Sequence, residues 1–258
     1  MRFRRISHLA NAIRNLGPAG TISYIRQRRK HLRLEHHQHF SLVAKTSGFP
    51  LHARAGSSDI DVFYQIFLMR EYSPLDDLKD VKTIVDLGAN VGYSSCYFLS
   101  QHTSAKVIAV EPDRANFELL VENLAPFKDR SQALNCAIHS SAATLAYELQ
   151  PRSPGGEFSH RFSPKTKPDD NIMPTVEARS LSAIISSCGI KHIDILKVDI
   201  EGAETDLFSS PTALQWLPIV RTIAIELHGQ AAEDAFFSAI AHTHPRIVHS
   251  HELVICSQ

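Results

Sequence analysis

The sequence TIVDLGANVG, residues 83–92, decides the fold. Its β-branched and apolar residues from Thr83 to Leu87 predict a buried strand, and its glycines predict a tight turn that opens a helix over Gly92 to Gln101. Glycines at such a turn let a ligand approach the backbone at the helix N-terminus. A strand, a glycine turn and a helix in this order are typical of α/β folds that bind nucleotides.

The residues beyond this turn continue to alternate strand and helix patterns. A second strand is predicted over Lys106 to Glu111, and Asp113 after it has the residue type of a helix N-cap. The further predicted elements are strands over 131–138, 144–149, 193–199, 222–227, 246–250 and 252–256, and helices over 181–187, 202–208 and 233–242. This alternation predicts one doubly wound α/β domain with a mostly parallel sheet, and the closeness of the last two strands predicts an antiparallel hairpin at the C-terminus.

The segment from Pro151 to Pro174 interrupts the alternation. It holds five prolines and the pair Gly155-Gly156, which exclude a regular helix. The segment therefore predicts a long loop, and such loops in compact domains are usually lids or binding loops.

The composition excludes several classes of protein. The chain has 258 residues, 27 Lys plus Arg, 27 Asp plus Glu and 43% hydrophobic residues, which is ordinary for a globular protein and unlike disordered or collagen-like chains. Its four cysteines lie far apart without a C-x-x-C pair, so we expect reduced, packed thiols. No apolar run reaches the roughly 18 residues of a membrane span, and Met1 to Arg5 lead into no apolar signal segment. We therefore expect a soluble, cytoplasmic protein.

The N-terminal residues carry most of the positive charge. Residues 1–40 hold nine basic residues and one acid, Glu35, a net charge of +8, so the rest of the chain carries −8. We interpret residues 1–50 as a basic helical arm that contacts an anionic membrane surface or nucleic acid, or that folds back onto the acidic body. The arm has few aromatic residues for base stacking, so nucleic acid is the weaker partner. A histidine cluster at His36, His37 and His39 lacks neighbouring ligands and is interpreted as surface rather than as a metal site.

Acidic residues at two strand ends indicate which cofactor binds. Glu111 ends the second strand, where a carboxylate can accept hydrogen bonds from both hydroxyls of a ribose. A dinucleotide fingerprint would have glycine at Asn90, and the carboxylate of Asp86 just before the turn would repel a pyrophosphate. S-adenosylmethionine carries a sulfonium and an ammonium group, so its charge fits this turn better than that of NAD.

A second group of polar residues follows two later strands. The strand predicted over 193–199 ends in Asp199, with Glu201 and Glu204 close behind, and the strand after it ends in Glu226-Leu227-His228. Because burying unpaired carboxylates is costly, Asp199 is interpreted as functional, and Glu226 and His228 are expected to join it. Structural roles remain open for the others, namely a helix-dipole contact for Glu204, a solvent-facing position for Glu201 and a core position for His228.

An ordered set of motifs resembles the FkbM-type methyltransferase family from about Leu51 to the C-terminus. The motifs are RAGSSD (54–59), VF (62–63), QIF (65–67), EY (71–72), DLGANVG (86–92), EPD (111–113), NF (116–117), NCA (135–137), GGE (155–157), VDIEGAE (198–204) and ELH (226–228). The glycine turn is shared by many methyltransferases, whereas DIEGAE is strongly specific. The family commonly has T-L-D where this chain has Ser180-Leu181-Ser182.

The resemblance implies a Rossmann-like class I methyltransferase fold with a seven-stranded sheet over residues 51–258. It implies an enzyme that uses S-adenosylmethionine to methylate a hydroxyl of a sugar, glycan or secondary metabolite. The positions that it assigns to the cofactor are Asp86, Gly88, Asn90 and Gly92 on the methionine side, Glu111 at the ribose, and Arg54 with Asp59 in a motif expected to fold over the cofactor.

The expected chemistry is an in-line displacement aided by a general base. Asp199 is the first candidate for the base or for acceptor binding, followed by His228 and Glu201. Asp199 or His228 could instead help Glu226 hold a divalent metal, which we do not favour. Two alternative functions stay open. One is an RNA methyltransferase that binds phosphate groups with the basic arm, and the other is a non-catalytic nucleotide-binding scaffold.

Overall fold

The fold is seen in a computed structural model that describes residues 2–31, 38–140, 143–149, 160–164, 175–250 and 252–258. The strands are β1 His39–Val43, β2 Pro50–Arg54, β3 Thr83–Leu87, β4 Lys106–Val110, β5 Ser131–Leu134, β6 Ala137–Ile138, β7 Ala143–Leu149, β8 His160–Pro164, β9 Thr175–Arg179, β10 Ile195–Val198, β11 Thr222–Glu226, β12 Arg246–Ser250 and β13 Leu253–Ser257. The α-helices are α1 Arg2–His31, α2 Asp59–Phe63, α3 Tyr93–Gln101, α4 Arg114–Leu124, α5 Leu181–Ser187, α6 Glu204–Ser209, α7 Ala213–Trp216 and α8 Gln230–Ile240.

A seven-stranded sheet forms the centre of the molecule, in the order β12-β13-β11-β10-β3-β4-β5. The strands from β11 to β5 in this order are parallel to their neighbours, and β13 pairs antiparallel with both β11 and β12. The predicted doubly wound fold and its C-terminal antiparallel hairpin are therefore confirmed.

Both faces of this sheet are covered, which explains the continuous apolar runs of its central strands. Ile84 of β3 packs into a core with Phe98 and Leu120 on one face. Its neighbour Val85 packs into a second core with Trp216 on the other face. Because successive residues of a strand point to opposite faces, the side chains of β3 are buried on both sides, and a ligand can reach the strand only at its end.

The prediction of one continuous strand over 131–138 is wrong. The structure has two strands there: β5 belongs to the central sheet, and β6 belongs to a separate sheet of order β6-β9-β7-β8. The side-chain amide of Asn135 donates hydrogen bonds to the carbonyl oxygens of Glu111 and Pro112, at 2.9 and 3.0 Å. These bonds tie the chain to the end of β4 between the two strands, which separates them.

The separate sheet also contradicts part of the loop prediction for residues 151–174. Strand β8 lies within this segment and pairs antiparallel with β7, so the loop prediction is wrong for residues 160–164. The rest of the segment, 151–159 and 165–174, lies outside the described residues. Strand β7 confirms the β structure predicted over 144–149, and β9 was not predicted.

The N-terminal helix lies against the body of the protein. Gly17 has a φ of 72°, and it kinks α1 just before Pro18. Beyond the kink Tyr24 is buried and stacks on Phe63. Contact of the basic arm with an anionic membrane stays a prediction. Two residues of the histidine cluster, His36 and His37, lie outside the described residues.

Strand β1, within the predicted arm, pairs antiparallel with β2, so backbone hydrogen bonds cross the predicted boundary at residue 50. Among the described residues, no helix combines the length and the apolar character that a membrane crossing requires.

Candidate active site

Two open cavities adjoin at the carboxyl ends of the central strands. One, of about 650 Å³, lies over the ends of β3 and β4. Its apolar wall is formed by Val110, Cys136, Ala137 and Ile138. The other, of about 1600 Å³, lies over the ends of β10 and β11. Gly88, Asn90, Asp199 and Glu201 line both cavities. The predicted turn and the predicted carboxylates therefore lie at one continuous cleft, where ligands bind in open α/β sheets.

The turn after β3 is held in one conformation. The backbone N–H groups of Gly88 and Ala89 both donate to the carbonyl oxygen of Val110, at 3.0 and 2.9 Å. Gly88 has a φ of +76°, and a Cβ atom there would lie 1.7 Å from the carbonyl oxygen of Asp199. Glycine is required at residue 88 because the backbone of Asp199, directly after β10, lies against it. Gly92 has a φ of +88°, which favours glycine; an added Cβ would lie 2.7 Å from Leu120 Cδ1, the end of a side chain that can move more easily than backbone.

Glu111 joins the turn to the start of α4. Its Oε2 accepts from the backbone N–H of Asn90 at 2.8 Å, and its Oε1 accepts from that of Asp113 at 2.9 Å. The side chain is buried, and this burial raises its pKa to about 7. Asn116 Nδ2 also donates to Oε1, at 3.4 Å. A carboxylate has about four acceptor positions, so Glu111 retains capacity at Oε2 for a hydroxyl donor in the smaller cavity.

Asp86 lies behind the turn and is fully buried. Its Oδ2 accepts hydrogen bonds from the hydroxyls of Ser94 and Ser95, at 2.7 and 2.6 Å. Its Oδ1 lies 3.3 Å from Lys197 Nζ, and this ammonium also donates to the carbonyl oxygen of Gly88 at 2.6 Å. The predicted direct contact of Asp86 with a cofactor stays a prediction. The bonds in the structure connect Asp86 to α3 through the two serines and to the turn through Lys197.

Asp199, Glu226 and His228 come together at the larger cavity, and one ligand atom from each lies within 4.8 Å of the others. Asp199 lies 3.6 Å from Lys197, measured from Oδ2 to Nζ. Burial raises the pKa of Asp199 above its ordinary value, and the positive charge of Lys197 opposes this shift. A carboxylate with a raised pKa is suited to accepting a proton at neutral pH.

The imidazole of His228 lies between carboxylates. Its Nδ1 is 3.0 Å from Glu204 Oε1, and its Nε2 is 3.5 Å from Glu226 Oε1 and 3.8 Å from Glu201 Oε2. Hydrogen bonds to Glu204 and Glu226 raise the pKa of His228 to about 11. The carboxylates around the ring therefore favour its protonated form. Burial raises the pKa of Glu201 to about 7.

Comparison with known proteins agrees with this geometry. Residues 86–249, more than half of the chain, match the model of the methyltransferase FkbM domain. The chain belongs to the FkbM methyltransferase family. The matched span contains the turn, Glu111, Asp199 and His228, so the family resemblance of the sequence is confirmed.

Three named methyltransferases are similar in sequence to this FkbM-family chain. Methyltransferase sdnD of Sordaria araneosa is 30% identical to it over 191 residues, which cover 64% of this chain and 73% of that protein. Hexuronic acid methyltransferase AglP of Haloferax volcanii is 24% identical, with 72% of this chain and 74% of that protein covered. 2-O-methyltransferase NoeI of Sinorhizobium fredii is 25% identical, with 66% and 70% covered.

Arg54 and Asp59 lie outside the span that matches the family model. They form a bidentate ion pair, in which Arg54 Nε and Nη2 lie 3.0 and 2.9 Å from the oxygens of a buried Asp59. Arg54 Nη2 also donates to Asn116 Oδ1 at 2.7 Å, and Asn116 lines the smaller cavity. The pair therefore reaches the cavity through Asn116, and its predicted position over the cofactor stays a prediction.

Two charged residues of the site were missed by sequence reasoning. Lys197 lies in the otherwise apolar strand β10, and its role was not predicted. A single lysine within such a strand indicates a buried ion pair. Glu71 lies far upstream of the strand ends, in a buried segment that lines the larger cavity. Its Oε1 accepts from Gln65 Nε2 at 3.0 Å, and burial raises its pKa to about 7. The motif residues 65–67 and 71–72 could have indicated this contact.

Proposed function

We propose that the protein transfers a methyl group from S-adenosylmethionine to a hydroxyl oxygen of a sugar, glycan or secondary metabolite. The observation that supports this most is the shared boundary of the two cavities. Glu111 lines the smaller cavity, Glu226 and His228 line the larger one, and the glycine turn and Asp199 lie at the boundary and line both. The names of AglP and NoeI, a hexuronic acid methyltransferase and a 2-O-methyltransferase, support an oxygen acceptor on a sugar.

The residues of the smaller cavity fit an adenosine group. Glu111 is placed to accept the ribose hydroxyls, and the wall of Val110, Ala137 and Ile138 offers apolar surface to a flat base. Gly88 and Asn90 leave the backbone of the turn open at the cavity boundary, where the methionine portion is expected. When bound, S-adenosylmethionine supplies an electrophilic methyl group next to a positively charged sulfur.

Asp199 is the proposed general base. As the acceptor oxygen forms its bond to the methyl carbon, the carbon–sulfur bond breaks and the hydroxyl proton passes to the Asp199 carboxylate. Lys197 holds Asp199 and the turn together, since its ammonium contacts both. His228 is less suited to be the base because its nitrogens already face Glu204 and Glu226.

The acidic lining of the larger cavity argues against a nucleic acid acceptor. Five acids line it, namely Glu71, Asp199, Glu201, Glu226 and Glu252. The phosphates of RNA would meet repulsion at this surface.

Calorimetric titration tests the cofactor and the role of Glu111. We expect the protein to bind S-adenosylmethionine in preference to NAD, and Glu111→Ala to weaken the binding by about 10- to 100-fold, because hydrogen bonds to a charged acceptor are lost. Glu118→Ala, which removes an exposed acid from the neighbouring helix α4, is the matched control and should bind as the native protein does. Absence of donor binding by folded protein would contradict the proposal and favour the non-catalytic scaffold.

The pH dependence of this binding is a separate prediction. Because burial raises the pKa of Glu111 to about 7, with Asp113 nearby adding to the shift and the N–H groups of Asn90 and Asp113 opposing it, acidification protonates the carboxyl. Protonation removes acceptor positions for the ribose, so affinity should fall below this pKa by up to about tenfold per pH unit. Calorimetry across this range should show the decline in the native protein and a flat profile in Glu111→Gln. A flat native profile would contradict the assignment.

A further inference from the structure

The N-terminal helix α1 carries a strong positive charge. Between Arg2 and His31 it contains eight lysines and arginines and no acid. The rest of the molecule is acidic, since the charge of +8 in residues 1–40 is balanced by −8 elsewhere in the chain. Charge is therefore divided between one helix and the body, and this division favours binding of the helix to an anionic surface.

The contacts that hold α1 on the body do not use this charge. Leu16 and Tyr24 are buried in the same apolar core as Phe63. Among the residues whose side chains the structure describes, one ion pair joins α1 to the body. It joins Arg28 to Asp61 at 3.7 Å, and both side chains are more than half exposed. Because exposed ion pairs contribute little to stability, contact with the acidic body does not account for the charge of the helix.

The outward face of α1 beyond the kink combines basic and apolar side chains. Ile22, Arg26 and Arg29 are exposed and follow each other at spacings of four and three residues, so they lie on one face of the helix. Tyr24, which packs on the body, lies on the opposite face. An apolar side chain beside arginines is typical of helices that lie in the interface of an anionic bilayer.

Exposed isoleucines decide between two anionic partners, a bilayer and RNA. The phosphates of either attract arginine, but single-stranded RNA is bound by aromatic side chains on which its bases stack. The exposed large apolar residues of α1 are aliphatic, Ile13 at 46% and Ile22 at 52% exposure, whereas Tyr24 is buried. Aliphatic side chains can enter the acyl region of a bilayer, so the composition of this surface favours lipid.

We propose that α1 docks on an anionic bilayer through Ile22, Arg26 and Arg29. Ile22 enters the boundary between head groups and acyl chains, and the two arginines contact lipid phosphates. Tyr24 on the opposite face keeps the helix on the body. The docking is peripheral, and its strength depends on the negative charge of the lipid.

Docking on this face would fix the position of the larger cavity relative to the bilayer. Tyr24 stacks on Phe63 and on Tyr64, with ring centroids 6.2 Å apart in both pairs. The neighbours Val62 and Gln65 line the larger cavity. Two helical layers, about 20 Å, therefore separate the cavity from the lipid. A sugar carried on a lipid anchor is a suitable acceptor at that distance, a consequence that rests on the proposed function.

Flotation of the full-length protein with vesicles tests the docking face. We expect binding to vesicles of equal parts phosphatidylglycerol and phosphatidylcholine, and at least about tenfold weaker binding to phosphatidylcholine alone. Arg26→Gln combined with Arg29→Gln should weaken binding by about 10- to 30-fold, because each basic residue at an anionic surface contributes about fivefold. Lys106→Gln combined with Lys128→Gln removes two exposed charges from the body, and we expect a change of less than about threefold.

Ile22→Asn keeps the charge of α1 and removes the inserted side chain. We expect about 3- to 10-fold weaker vesicle binding and no change in urea unfolding, because the residue is exposed. Three outcomes would overturn the docking: no vesicle binding, an equal loss in the lysine control, or vesicle binding that ignores Ile22→Asn. Binding of single-stranded RNA without vesicle binding would likewise overturn it and assign α1 to nucleic acid.

Vesicle binding needs neither donor nor acceptor, so the two proposals fail separately. Vesicle binding by protein that does not bind S-adenosylmethionine removes only the proposed methyl transfer. Methyl transfer to a soluble glycan by protein that does not bind vesicles removes only the docking.

Discussion

Gly88→Ala is expected to lower the free energy of unfolding by more than about 4 kcal/mol and to abolish binding of S-adenosylmethionine. The new Cβ would lie 1.7 Å from the carbonyl oxygen of Asp199, and the clash is with backbone, which cannot rotate away. Relief requires that β3 and β10 move apart, which also breaks the contact of Lys197 with Gly88. Urea unfolding and calorimetry of the variant measure the two effects.

Gly189→Ala is the matched control for this substitution. Gly189 also has a positive φ, +66°, but nothing lies within 4 Å of its added Cβ. Its variant should lose only the about 1–2 kcal/mol of backbone strain and keep donor affinity. Similar losses in the two variants would show that strain, rather than the approach of β10, explains the glycine at residue 88.

Asp199→Asn is expected to lower kcat for methyl transfer by about 10²- to 10⁴-fold while changing the affinity for S-adenosylmethionine by less than about threefold. The asparagine keeps the shape of the side chain but cannot accept the hydroxyl proton. The measurement is transfer of a labelled methyl group to an acceptor found by screening neutral sugars and glycans.

Asp234→Asn, an exposed change of the same chemistry on α8, is the control and should leave kcat unchanged. Full turnover by Asp199→Asn would remove the carboxylate from the reaction. A matching loss of donor affinity would assign Asp199 to the cofactor rather than to proton transfer.

Local pattern was enough to predict the central sheet and the sheet edge at which the candidate site lies. The apolar runs of β3, β4, β10 and β11 predict buried parallel strands, and their acids fall at the carboxyl ends. In a parallel sheet these ends meet at one edge, so Glu111, Asp199 and Glu226 could be expected together. The prediction worked because each of these features depends on a few consecutive residues.

Local pattern failed where the structure depends on distant partners. The strand predicted over 131–138 divides because Asn135 bonds to the end of β4, which no periodicity shows. Strands β8 and β9 were missed because their pairing partners come from other segments of the chain. The burial of Asp86 follows from its register opposite Lys197 in the neighbouring strand, and register is a property of the assembled sheet.

The sequence by itself determined the fold class, the glycine turn and the positions of the acids, because strand periodicity and turn chemistry are local. Only the tertiary structure decided what each acid faces. It placed Asp86 behind the turn on Lys197, and it placed Glu204 against His228. These contacts join residues of separate elements, and their energies depend on burial and distance, which exist only once the sheet and its helices have packed.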